Sequence, residues 1–134
     1  MQIDPFKISY PKERILKIKE KVEIFPWHEM PKDGGWSFGT NIDYMKNLTD
    51  YWTKEYDWKS QEVRLNRFPN YKTKVDNIDI HFIFKKSSSS KAIPLILIHG
   101  WPGSIVEFLE IIDLLCEPEK YGNMDEVCFD VVAP

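Results

Sequence analysis

The stretch from Pro94 to Ser104 constrains this chain more than any other. Pro94-Leu95-Ile96-Leu97-Ile98 is an apolar run of strand length without polar alternation, the pattern of a central strand buried on both faces of a parallel or mixed sheet. It stops at His99-Gly100-Trp101-Pro102-Gly103. Ile105, Val106, Phe108, Leu109, Ile111, Ile112, Leu114 and Leu115 then predict one helix with a wide apolar face. Ser104 opens it as N-cap, with Glu107 at the third helical position, the arrangement of a capping box. A strand running into a tight glycine-containing turn and a helix places backbone N–H groups at the carboxyl end of a sheet, where α/β enzymes build their sites. Val127 to Val132 reads as a further strand and completes a strand-helix-strand crossover.

Upstream the pattern is different. Ser9-Tyr10-Pro11 starts a short amphipathic helix over 9–23, with Ile15, Leu16, Ile18 and Val22 on its apolar side. Phe25 to Gly39 is broken by prolines and glycines yet rich in aromatics, so we expect a meander pinned over an apolar surface. Thr40 is the expected cap of a second helix with Tyr44, Leu48, Tyr51 and Trp52 as its buried stripe, and Asp57 caps a third, Trp58 to Asn66. Tyr71 to Val75, an Asp76-Asn77 turn and Ile78 to Phe84 predict a β-hairpin. Lys85 to Lys91, with four serines, reads as an exposed loop.

Bulk properties narrow the function. Aromatic residues make up 14% of the 134, more apolar bulk than a disordered segment carries. The net charge is only -3 and the lysines form no dense block, which argues against nucleic acid and anionic membrane surfaces and for an apolar or neutral ligand. Cys116 and Cys128 form no CxxC pair and lie in no His-rich cluster, so neither a disulfide framework nor a metal site is expected. No stretch has the length and apolarity of a membrane span or signal peptide. Asn47-Leu48-Thr49 fits a glycosylation acceptor but falls inside a predicted helix.

His99-Gly100-Trp101-Pro102 resembles the His-Gly-Xaa-Pro oxyanion motif of epoxide hydrolases in the α/β-hydrolase superfamily, and the longer His-Gly-Trp-Pro-Gly-Ser is typical of the microsomal and juvenile-hormone branch. Trp36-Ser37-Phe38-Gly39, Tyr51-Trp52, Tyr56-Asp57-Trp58, Glu62, Leu65-Asn66, Phe68-Pro69 and Ile78 to Phe82 are similar to the N-terminal epoxide-hydrolase domain of that branch. The resemblance covers the chain from about Asp4 onward. It implies an α/β fold in which a helical and meander segment, residues 1–70, wraps and lids the first strands and first helix of an α/β-hydrolase core, residues 71–134, truncated there.

In the family an aspartate opens the epoxide by forming an alkyl-enzyme ester, two tyrosines donate to the opening oxygen, and a histidine-activated water hydrolyses the ester through an oxyanion. The resemblance implies that the backbone N–H of Trp101 is one oxyanion donor and that His99, Gly100, Trp101 and Pro102 border the substrate pocket. It further implies that the Trp101 ring walls an apolar pocket, that Gly100 permits an unusual backbone angle, and that a cis bond precedes Pro102. Each has a plainer reading. His99 serves better as an orienter of the turn than as a base, and Ser104 better as a cap than as a nucleophile, because no Gly-x-Ser-x-Gly elbow surrounds it. His28 and His81 have no acidic or cysteine partner at useful spacing, and Trp27, Trp36, Trp52 and Trp58 are expected to be structural.

The chain ends at Ala133-Pro134, ahead of any further strand-turn-helix that could present an aspartate nucleophile, the tyrosines or the histidine. We therefore expect a fragment that has no epoxide turnover on its own, with no cofactor and no metal. Its partners would be the rest of the catalytic domain and a small apolar epoxide. A missing N-terminal anchor would give membrane association, and the family resemblance suggests the endoplasmic reticulum membrane or the cytoplasm. The alternative is a non-catalytic module that binds a hydrophobic ligand or a protein through its open sheet edge.

Overall fold

A computed structural model describes residues 2–31, 34–123 and 127–134. The elements are β1 (Ile3–Phe6), α1 (Lys12–Glu23), α2 (Ile42–Lys54), α3 (Trp58–Leu65), β2 (Asn70–Val75), β3 (Ile78–Lys85), β4 (Ile93–Ile96), a 3-10 turn (Ile105–Phe108), α4 (Ile112–Cys116), a second 3-10 turn (Pro118–Tyr121) and β5 (Phe129–Ala133). They fall into two compact units, one of residues up to Ile8 with Glu62–Pro134, the other Ser9–Gln61.

The first unit is a five-stranded mixed sheet in the order β1-β2-β3-β5-β4. Every pair is antiparallel except β4 with β5, which are parallel as the predicted crossover requires. The β2–β3 hairpin closes through Asp76 (φ 48°) and Asn77 (φ 66°), the two left-handed positions of a type I′ turn, whose twist suits the flanking strands. β1 was not foreseen; it adds to the outer edge of β2 with Ile3 opposite Thr73.

The register sets Ile83 opposite Ala133 and Leu95 beside Val131, so one sheet face collects these residues. Ile83, Val131 and Ala133 form the buried core with Phe68, Leu109, Ile112 and Cys116, and partly buried Leu95 packs against it. Strand alternation puts Phe82, Phe84, Val132 and Ile96 on the opposite face. The expectation of a strand buried on both faces fails for β4 among the described residues: it lies at the sheet edge, and Ile96 and Ile98 are 57% and 71% exposed.

The predicted single helix after the turn is also corrected. Ser104 is the cap, its Oγ accepting from Val106 N at 3.3 Å, but the residues after it form a 3-10 turn and α4 begins only at Ile112. Leu109 N and Ile111 N bond back to the carbonyls three residues earlier, and the Leu109 carbonyl accepts from the Arg67 guanidinium. A tertiary donor thus takes a carbonyl that a continuous helix would use. The Lys85–Lys91 loop is not uniformly exposed, because Ser87 is buried with its N–H donating to Asp130 Oδ1 at 2.8 Å.

Polar groups tie this unit together. The Asn66 side chain bonds both backbone groups of Ile8, accepting from N at 2.9 Å and donating to O at 2.8 Å, and also donates to Glu62 O. Buried Asn70 donates to Leu65 O and Phe68 O, so its Oδ1 is left to accept from His81 Nε2 at 2.8 Å. A run of alternating charges joins Arg64, Glu110, Arg67, Asp113, Lys85, Glu117 and Lys120. Burial pulls the Lys85 ammonium down, but hydrogen bonds to Asp113 and Glu117 and their charges outweigh it, leaving it above its ordinary value. Hydrogen bonds from Lys120 and Lys85 hold the Glu117 carboxyl below the usual range.

In Ser9–Gln61 the second helix is capped by Asn41, one residue later than expected, with its Oδ1 accepting from Tyr44 N at 2.9 Å. α1 meets α2 through Lys19 Nζ donating to Thr53 O. Tyr10, Trp52, Tyr56 and Trp58 form a cluster of edge and tilted ring contacts. The meander expected to be pinned down instead exposes much of its aromatic surface. Trp36 and Phe38 are 61% and 65% exposed, so Trp36 is no core residue. Its ring lies against Tyr44, and Phe25 lies against Trp27.

Candidate functional site

The turn after β4 gathers the motif. Gly100 to Gly103 form a β-turn closed by Gly103 N donating to Gly100 O at 2.6 Å, with a cis bond between Trp101 and Pro102. Among the described residues, the Trp101 N–H has no acceptor, and the Trp101 residue is 97% exposed. His99 Nδ1 lies 3.1 Å from Gly100 O, an interaction inside its own turn. Ser104 Oγ is engaged by the Val106 amide, which fits a cap.

The glycine requirement falls elsewhere than anticipated. Gly100 has no positive φ, and a Cβ there would meet open space. A Cβ on Gly103 would lie 1.8 Å from Glu107 Oε1 and 2.8 Å from Gly100 O. Glu107 can swing its flexible end away, but the Gly100 carbonyl is fixed by the turn, so Gly103 is the position where the turn needs a glycine. Ser104 Oγ takes the amide of Val106 and not that of Glu107, and no reciprocal bond from Ser104 N to Glu107 is made, so Ser104 is a simple cap and the expected capping box is not formed.

The two other histidines sit apart from the turn in sequence and bonding. His81 bonds Asn70 and stacks edge-on to Phe6; burial, then the Lys72 charge, lowers its pKa. His28 Nε2 contacts Met30 Sδ at 3.2 Å. Buried Cys116 lies with its Sγ 3.4 Å from Lys85 O, and burial pushes its thiol up, which makes it inert. Among the described residues, no group of three or more His, Cys, Asp and Glu could hold a metal, and no helix is long and apolar enough to cross a membrane.

A free amide on a turn leading from a parallel strand to a capped helical turn is the arrangement by which α/β-hydrolases hold an oxyanion. Residues 3–108 match the family model described as epoxide hydrolase N terminus, and the chain belongs to that family. It is 38% identical over 136 residues to Epoxide hydrolase 1 of Sus scrofa and 36% identical over 138 residues to Juvenile hormone epoxide hydrolase 1 of Ctenocephalides felis. These alignments take in 98% and 100% of this chain but 30% and 29% of the relatives. The crystal structure of juvenile hormone epoxide hydrolase from Bombyx mori superposes with a TM-score of 0.86 at 29% identity, covering 99% of this chain and 35% of that one. The fold is accordingly the α/β-hydrolase fold of the epoxide hydrolases, and the chain spans about a third of the length of these proteins.

Proposed function

We propose that this chain is the N-terminal part of an enzyme that adds water to an apolar epoxide to give a diol, and that its contribution to the chemistry is the Trp101 amide. The reading rests on one observation: on the turn that follows the edge strand β4, that N–H has no acceptor among the described residues. In the reaction, a carboxylate supplied beyond these 134 residues attacks an epoxide carbon and the C–O bond breaks. The leaving oxygen takes a proton from a tyrosine, and an alkyl-enzyme ester forms. Water, deprotonated by a histidine, then adds to the ester carbonyl, whose oxygen becomes negative. Collapse expels the diol and restores the carboxylate, and the proton held by the histidine returns to the tyrosinate. The Trp101 N–H, with a second amide from the longer protein, would stabilise that oxygen, and loss of one such donor costs about 3 to 4 kcal/mol of barrier.

Two substitutions in a longer protein carrying this segment test the role. Trp101→Ala keeps the amide and is expected to retain ester hydrolysis, with the KM for bulky epoxides raised as the ring is lost. Trp101→Pro removes the N–H and is expected to slow ester hydrolysis ~10²–10³-fold, read as accumulation of the alkyl-enzyme in a single turnover. Equal rates in the two variants would defeat the assignment. The 134-residue chain by itself is expected to form no diol.

A further inference from the structure

A second concave surface lies entirely within Ser9–Gln61 and has no part in the turn. It is a groove of about 660 Å³ between α1, the meander and α2, within the size of small-molecule sites. Val22, Phe25, Trp27, Ile42, Met45 and Trp52 give it aromatic and flexible thioether walls that mould to an unbranched chain.

Its polar groups are few, and two of them are engaged elsewhere. His28 contacts Met30, and the Thr49 hydroxyl donates to Lys46 O at 2.8 Å. Lys21 is different. Among the described residues, its ammonium has no anion partner and no hydrogen bond, and it is the one formal charge on the groove wall. The nearby carboxylates of Glu29 and Asp43 line the adjoining depression, not this one. An apolar channel that among the described residues has a single unneutralised cation and no acid complements a molecule with a hydrocarbon tail and an anionic head.

We propose that this groove binds a medium- or long-chain monocarboxylate, the tail along the α1–α2 walls and the carboxylate on Lys21. The experiment uses the whole 134-residue chain and dodecanoic acid bearing a tail diazirine, with labelled residues mapped by mass spectrometry and competition by dodecanoate or dodecanol. The expected result is saturable labelling confined to residues 18–52, displaced by dodecanoate about 2- to 5-fold more effectively than by dodecanol, as an ion pair with an exposed ammonium provides. Lys21→Gln, at an exposed position that leaves packing intact, is expected to bring dodecanoate down to the dodecanol level without altering the latter. Equal competition by the two, or no effect of Lys21→Gln, overturns the proposal. So does labelling spread over the bare sheet face at Ile96 and Ile98, or no labelling, the outcome if another segment of protein fills the groove.

Discussion

Lys85 offers the most demanding test of the packing described above. Its side chain is 19% exposed and reaches Asp113 and Glu117, themselves 27% and 18% exposed, beneath the face of Phe68. Lys85→Met preserves the stem and removes the charge, leaving two largely buried carboxylates. Removing one partner of a fully buried pair costs about 3–5 kcal/mol, whereas an exposed pair contributes about 0.2–1 kcal/mol. Here Asp113 keeps Arg67 at 4.0 Å and Glu117 keeps Lys120, so the expected loss lies between, about 2–3 kcal/mol. Urea unfolding followed by tryptophan fluorescence measures it, with the m-value unchanged. A cycle with Asp113→Leu should return a coupling of about 1–2 kcal/mol. The pH dependence has a fixed sign. Because Glu117 lies below its ordinary value of 4.5 in the fold, its contribution is present above about pH 4.5 and disappears as pH falls through the lowered value. Because Lys85 lies above 10.5, its share is present below that pH and disappears as pH rises through the raised value. A loss under about 0.5 kcal/mol with no coupling would mean that the network is solvated ornament, and the reasoning would be refuted.

The lowered pKa of His81 means that its neutral form stabilises the fold above about pH 6.5, and that this is lost as pH falls through the lowered value; His81→Gln, which retains a donor for Asn70, should flatten the stability profile between pH 7 and 5. Asn66→Ala removes three hydrogen bonds, two of them to Ile8, and should cost about 2–3 kcal/mol in the same urea assay. At the left-handed turn, Asn77→Gly should be neutral or slightly stabilising, while Asn77→Val should destabilise by about 1–2 kcal/mol; equal stabilities would contradict the type I′ assignment.

What could be read in advance follows the range of the interactions involved. The hairpin, the parallel β4–β5 pair and the Ser104 cap are written in local periodicity and turn chemistry, and each is present. β1 escaped notice because it is four residues long, includes Pro5, and exists only through pairing with a strand some seventy positions away. The break between the 3-10 turn and α4 was invisible for a similar reason: the apolar spacing is helical throughout, but the competing donor is Arg67, 42 residues upstream. The motif at His99–Pro102 announced where a free amide would sit. It misplaced the glycine requirement, because the crowding at Gly103 comes from the Gly100 carbonyl folded back across the turn, a backbone geometry that the motif does not spell out. An apolar run likewise states that β4 demands cover on two sides without supplying it.

The Asn66 side chain grips Ile8 by both its amide and its carbonyl, so the chain leaves at Ile8 and comes back within hydrogen-bond reach of the same spot after more than fifty residues. A polypeptide loop fastened at its mouth can be lengthened or pared at modest entropic cost, about 0.6 kcal/mol for each doubling. Changes in the length or make-up of that excursion are therefore expected to leave the strand pairing intact, as though it were a separate leaf held by a single clasp.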